Sequence, residues 1–337
     1  MWKAEQIMAP EVDERSQYYE HQQSTEEADV PAQNSSRTNV YECTTLLCVC
    51  NFIGTVKHSN CRTPDGQILQ PALRKEYRQL SATERNRFHN ALSKLKSTGE
   101  YKLCGGAHSG PAFLPWHREY IKRFELALRK IDFTVSLPYW DSTLEGQLQD
   151  GKDSCLFEAE LMGRFKRATN YSDQVYWTSL EYSNGNVLLW LGGETFQPSV
   201  SANDPLFFMH HAFLDKLWED WRQKHQTMAD RTTAYPRDSI NCSSEEHFAN
   251  SPMRPFNQLR NIDGISDFYT KNLYRYQERA TCPSGKDEQC GSSFLFCDRS
   301  HREPHCAAKV RYGGNCIGFE NNENPCISGR CVDGICT

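Results

Sequence analysis

Asn203-Asp204-Pro205-Leu206-Phe207-Phe208-Met209-His210-His211-Ala212-Phe213-Leu214-Asp215-Lys216-Leu217-Trp218 reads as a helix carrying two adjacent histidines. An Asp-Pro pair opens it. Asp204 can accept from the first free amides, and Pro205 suits the first helical position, where its missing N–H costs nothing. The helix is predicted to run from Pro205 to about Gln223. A second histidine-bearing segment lies upstream: Ala107-His108-Ser109-Gly110-Pro111-Ala112-Phe113-Leu114-Pro115-Trp116-His117-Arg118-Glu119-Tyr120. Its helix is predicted from about Trp116 to Lys130, with Phe124, Leu126 and Leu128 among the apolar residues.

Two more helices complete the pattern. Ser81 and Glu84 stand three apart, the spacing of a capping box. Phe88, Leu92 and Leu95 then recur at helical spacing, and Gly99 ends the run. Pro138-Tyr139-Trp140-Asp141 reads as a loop, and a further helix is expected over part of 155–168. Four such helices predict a mainly α fold, a bundle in which side chains on facing helices build metal sites.

Composition narrows the function classes. The 38 Lys+Arg stand against 43 Asp+Glu in 337 residues, with no basic stripe, so nucleic acid is not an expected partner. No apolar run approaches the length of a membrane helix. Of the 15 cysteines, four fall between Cys43 and Cys61 and eight between Cys282 and Cys336. Such density predicts disulfides and an oxidising compartment, and the odd total leaves at least one thiol unpaired. Sequons at Asn34, Asn170 and Asn241 agree with secretion. The N-terminus, Met1-Trp2-Lys3-Ala4-Glu5-Gln6, lacks the apolar region of a signal peptide. The expectation is therefore a secreted protein whose signal segment is absent from this chain. The organisation expected is a disordered tail at 1–42, a Cys-rich collar at 43–64, the helical domain at 65–281 and a disulfide module at 282–337.

The two histidine segments, with Pro138-Tyr139-Trp140-Asp141 between them, resemble the tyrosinase family of type-3 copper proteins. The family comprises tyrosinases, catechol oxidases and molluscan haemocyanins. The resemblance runs over about 65–280 and implies a four-helix-bundle copper domain with small disulfide-rich terminal segments. It also implies copper as cofactor, a pair of ions each held by three histidines. Onto that set map His108 in the loop, His117 nine residues later, and His211, the second member of the pair. Asp215 lies four residues after His211, on the same helical face, and is expected to orient that ring; Phe207, four residues before it, is expected to pack over it.

Three family ligand positions are unfilled. Glu181-Tyr182-Ser183-Asn184-Gly185-Asn186-Val187-Leu188-Leu189-Trp190-Leu191-Gly192-Gly193 aligns with the family's paired-histidine helix, but Asn184 and Leu188 occupy the ligand positions. Leucine has no lone pair, and an amide oxygen is a poor substitute for imidazole with copper. The upstream ligand is missing because four residues alone separate Tyr101 from Gly106, a gap that excises the stretch expected to carry it. His89 is the one replacement in range, and its context places it about three turns too early on the helix. Among the other histidines, His225, His247, His301 and His305 read as surface or loop residues, and His210 as a packing residue.

Two functions follow from the resemblance. One is a degenerate phenol oxidase, a pseudoenzyme with a structural or regulatory role. The other is an active copper oxidoreductase converting phenols to o-quinones, with His89 or another group recruited. Expected partners are phenolic small molecules or an extracellular matrix protein.

Overall fold

The computed structural model describes residues 39–57, 60–98, 108–163, 179–197, 199–282, 290–319 and 323–337. The expected disorder of the tail up to residue 38 lies outside these, as do Asn34, Cys104, Asn170 and the shortened stretch at 99–107. The tail's last residues differ from expectation. Val40–Glu42 form a 3-10 turn capped by the Asn39 side chain, and Val40 is buried.

Five helices of two turns or more carry the fold: α1 (Leu46–Ile53), α2 (Ala82–Ser97), α3 (Phe113–Ile131), α4 (Ser179–Leu191) and α5 (Pro205–His225). The caps form as read. Ser81 Oγ accepts from the Glu84 amide at 3.2 Å while Glu84 Oε2 accepts from the Ser81 amide at 2.8 Å. Asp204 Oδ1 accepts from the Leu206 amide at 2.9 Å, with Pro205 as the first helical residue. The helix expected within 155–168 is absent from the described part of that range. Leu156, Phe157 and Leu161 are buried there, but in a 3-10 turn at Cys155–Phe157 and the turns after it. Apolar content was real, and its period was not helical. The fourth long helix of the bundle is instead α4.

Helix α3 is the axis of the molecule, packing against both α2 and α5, while α4 packs on α5. Phe124 of α3 stacks on Phe208 of α5 with ring centroids 3.7 Å apart, and Trp116, Tyr120 and Phe207 extend the same core. α3 is also buried on its charged side. Arg118, Glu119, Lys122, Arg123 and Glu125 are each under 10 % exposed. Unpaired, such charges would cost several kcal/mol each. Each has a partner: Glu125 takes a two-point bond from Arg74 at 3.0 and 2.9 Å, Arg118 reaches Asp215 at 2.6 Å, and Glu119 holds Lys122 and Arg123.

Among the described residues, eight short strands pair two by two. β1 (Thr55–Lys57) and β2 (Asn60–Arg62) make a hairpin in the collar, which Cys43–Cys48 and Cys50–Cys61 staple. β3 (Ala72–Arg74) and β4 (Tyr274–Tyr276) run parallel and bring Arg74 beside Tyr274 and Tyr276. β5 (Leu295–Asp298) pairs with β6 (His305–Ala308), and β7 (Cys331–Val332) with β8 (Ile335–Cys336). The C-terminal pairs are Cys282–Cys297, Cys290–Cys306, Cys316–Cys331 and Cys326–Cys336. This segment packs on the helical core: Asp153 accepts from Arg311 at 2.7 Å and from the Asn315 amide at 3.0 Å. No described helix is long and apolar enough to cross a membrane.

Among the described cysteines, Cys155 and Cys242 are free. Cys155 is fully buried, and burial pushes its thiol up to about 12; Cys242 is exposed. Reactivity follows exposure and thiolate content. Iodoacetamide at pH 8 is therefore expected to alkylate Cys242 in the folded, non-reduced protein and to leave Cys155 unmodified. Peptide mass mapping reads this out, and equal labelling of both would contradict the packing around Cys155.

Candidate metal centre

Three histidines that lie far apart in sequence meet between α3, α5 and the loop before α3. The His117 and His211 rings stack with centroids 4.3 Å apart and planes 14° from parallel. His108 meets His117 edge-on at 5.3 Å. The cluster runs from the surface inward: the His108 side chain is 42 % exposed, whereas His117 and His211 are buried.

The hydrogen bonds set the ring orientation. His117 Nδ1 lies 2.7 Å from the Phe113 carbonyl, one turn back on its own helix, and His211 Nδ1 lies 2.8 Å from the Phe207 carbonyl in the same way. A carbonyl accepts only, so each Nδ1 carries the proton and each Nε2 keeps a lone pair. His211 Nε2 is buried with no hydrogen-bond partner among the described residues. His108 Nδ1 lies 3.1 Å from Glu181 Oε1. Burial holds His117 down at about 3. His211 is held well below the ordinary imidazole range, by burial first and then by its histidine neighbours. Both rings are neutral at physiological pH, the state a metal requires of imidazole.

Phe207 packs on His211 as expected, with ring centroids 4.1 Å apart. Asp215 does not orient that ring. Helical side chains lean toward the N-terminus, so His211 leans back onto Phe207 and away from Asp215. Asp215 is instead claimed by Arg118, by the Tyr274 hydroxyl at 2.7 Å and by the Tyr276 hydroxyl at 2.6 Å. His89 is not brought to the cluster. Its Nε2 is 2.8 Å from the Tyr77 hydroxyl, and its ring packs against Tyr77 and Phe88. His210 packs by Trp140 with neither ring nitrogen hydrogen-bonded among the described residues.

Two residues of this region were not legible as site residues. Glu181, in the first turn of α4, binds His108 and clamps the Ser109 amide with both oxygens, at 2.8 and 3.0 Å. That clamp holds Ser109 at φ 67°, a conformation costly for a residue with a side chain. The clue lay in its spacing: Glu181, Asn184 and Leu188 share one helical face. His247, read as a surface residue, is buried against the same loop. A Cβ on Gly110 would meet its ring at 2.6 Å, so glycine is needed there for the approach.

Because Glu181 touches His108, the face of α4 that carries Asn184 and Leu188 is turned toward the histidines. Asn184 is buried and its Oδ1 has no hydrogen-bond partner among the described residues, and Leu188 is buried in the apolar core. The donor set is thus lopsided: three imidazoles on one side, an amide and a hydrocarbon on the other.

The family model of the common central domain of tyrosinase matches residues 74–182 and 149–224. A tyrosinase of Streptomyces antibioticus is 31% identical over 231 aligned residues that cover 84% of its length and 45% of this chain. The chain belongs to the tyrosinase family. The tyrosinase-like protein tyr-3 of Caenorhabditis elegans is 40% identical over 89% of the chain, and the chain spans 52% of that relative's length. A tyrosinase-like protein of Pinctada maxima is 28% identical, with 76% of the chain and 71% of that protein aligned. Members of the tyrosinase family bind a pair of copper ions. Tested against that, the donor chemistry of His108, His117 and His211 suits one copper, since imidazole is a favoured ligand of that metal. The α4 face does not fit the second ion.

Proposed function

We propose that this tyrosinase-family chain holds one copper ion, at His108, His117 and His211, and does not act as a phenol oxidase. Asn184 and Leu188 on the α4 face carry the reading, because neither replaces an imidazole toward copper. Oxidation of phenols in this family uses two coppers acting on one oxygen molecule, so loss of one ion removes the reaction rather than slowing it. The alternative that recruits His89 is disfavoured by the Tyr77 hydrogen bond that occupies its Nε2. The role that remains is structural or regulatory, with an extracellular matrix protein or a phenolic small molecule as partner. His108, at the exposed edge, is where a phenolic ligand has access. Six disulfides among the described cysteines support a secreted protein.

Copper analysis of the purified chain is the test. The expected result at saturation is about one ion bound through the histidine cluster, lost in His211→Ala. In its oxidised form the cluster should give one uncoupled paramagnetic copper(II) signal that His211→Ala removes, with no catechol turnover. Two ions at the cluster in a magnetically silent pair, with catechol oxidation, would overturn the proposal.

A further inference from the structure

The β5–β6 hairpin ends on a cross-strand pair of Asp298 with His305. Asp298 is fully buried. Its Oδ1 accepts from the Ser300 amide at 2.9 Å. Its Oδ2 faces two histidines: His301, from the connecting turn, places Nδ1 at 2.9 Å, and His305 places Nε2 at 3.5 Å. The two imidazole side chains are 24% and 17% exposed, so the carboxylate is enclosed while one side stays open to water.

The His305 contact is the informative one. Its Nδ1 lies 3.0 Å from the Glu303 carbonyl, which can only accept, so Nδ1 bears the proton. In the neutral ring Nε2 is then a bare lone pair. It is buried without a hydrogen-bond partner among the described residues, and it points at a carboxylate oxygen. Two acceptors facing each other across 3.5 Å repel unless a positive charge lies between them.

We propose that Asp298 Oδ2, His301 Nδ1 and His305 Nε2 form a binding site for a divalent transition-metal ion of the zinc–copper class, separate from the histidine cluster of the helical core. Two imidazoles and one carboxylate are donors suited to these ions, whereas calcium and magnesium prefer all-oxygen shells. Ligand atoms around a tetrahedral ion at 2.0–2.1 Å stand about 3.3 Å apart. The two separations from Oδ2 bracket that value, and the two ring nitrogens must also draw toward each other as the ion enters. His301 gives up its Nδ1 proton to water as the ion enters. The scaffold is fixed beforehand, since Cys297 and Cys306, next to Asp298 and His305, are tied by disulfides to Cys282 and Cys290. Water completes the coordination on the open side. An ion there closes the mouth of the hairpin as a third staple beside the two disulfides.

Equilibrium dialysis of the metal-stripped full chain against zinc tests this. His301→Ala and His305→Ala are each expected to bind one zinc fewer per chain than the unaltered protein. Cobalt(II) added in place of zinc should show visible absorption in the unaltered chain that weakens in both variants. Because the measurement is a difference, it stands whether or not the core cluster binds copper. His301 lies in the turn, so His301→Ala decides the matter if His305→Ala fails to fold. Equal zinc content and equal cobalt absorption in His301→Ala and the unaltered chain would overturn the proposal.

Discussion

Asp215→Ala is expected to remove about 3–5 kcal/mol of folding stability, because it breaks a buried ion pair from one side only. Arg118 is fully buried and meets Asp215 at 2.6 Å, while its other nitrogen reaches Glu219 at 2.8 Å. Arg74, also fully buried, lies 3.6 Å from Asp215. Without the carboxylate, two enclosed guanidinium groups share less negative charge, and the Tyr274 and Tyr276 hydroxyls lose their acceptor. Burial alone would raise the Asp215 carboxyl, but Arg118 and Arg74 overrule it and hold it below the usual range. The sign of the pH effect follows. This contribution is present above the unfolded carboxyl's pKa and is lost as pH falls through the lower, folded value. Urea unfolding with an unchanged slope measures the loss. Arg87→Ala is the control: its pair with Asp132 spans 3.6 Å with Arg87 52% exposed, and its removal should cost less than about 1 kcal/mol. A loss that small for Asp215→Ala would show that the network contributes little.

The double variant Asn184→His, Leu188→His is expected to raise the copper bound at the helical core, at saturation, from about one ion to about two, over and above any ion held by the β5–β6 hairpin. The two new imidazoles would stand one turn apart on the α4 face turned toward His211, completing a three-histidine set with it. His108 and His117 are then released to hold the other ion, more weakly. In the absence of metal the variant should be the less stable, since a buried imidazole with unsatisfied nitrogens costs about 1–3 kcal/mol. Copper should reverse that loss: a ligand at a thousand times its Kd stabilises by about 4 kcal/mol. Copper content and the copper-dependent rise in Tm are the readouts. A variant that folds and still binds one ion at the core would mean that ligand identity at these two positions is not what limits the site.

Much of this fold was legible locally. Ser81 with Glu84 and Asp204 with Pro205 set two helix starts through hydrogen bonds that span three residues or fewer, and such signals survive in a bare sequence. Helix α4 was harder to place from the residues alone. Asn184, Gly185 and Asn186 disfavour helix in isolation, and packing against α5 overrides them. The range 155–168 misled for the opposite reason, being apolar without being periodic. At the site, the histidine positions were legible from their motifs. The partners were not, because Arg118 and Asp215 are 97 residues apart and Glu181 and His108 are 73 apart. Spacing on one helix suggested that Asp215 serves His211; a charge from another helix had the stronger claim. His247 shows the same limit, since nothing in Glu245-Glu246-His247 announces that Gly110 leaves room for its ring.

The parallel pairing of β3 with β4 has a bearing on biosynthesis. Arg74 finds the Tyr276 hydroxyl 202 residues downstream, at 2.8 Å. At about 5–20 residues per second, a ribosome needs on the order of ten seconds or more to make the chain between them. In the last part of that interval, once residue 215 has been made, the nascent bundle has its arginines and Asp215 but neither tyrosine hydroxyl. Its charged interior then has reason to stay hydrated, and the core closes late, when the strand near the end of the helical region arrives to seal it.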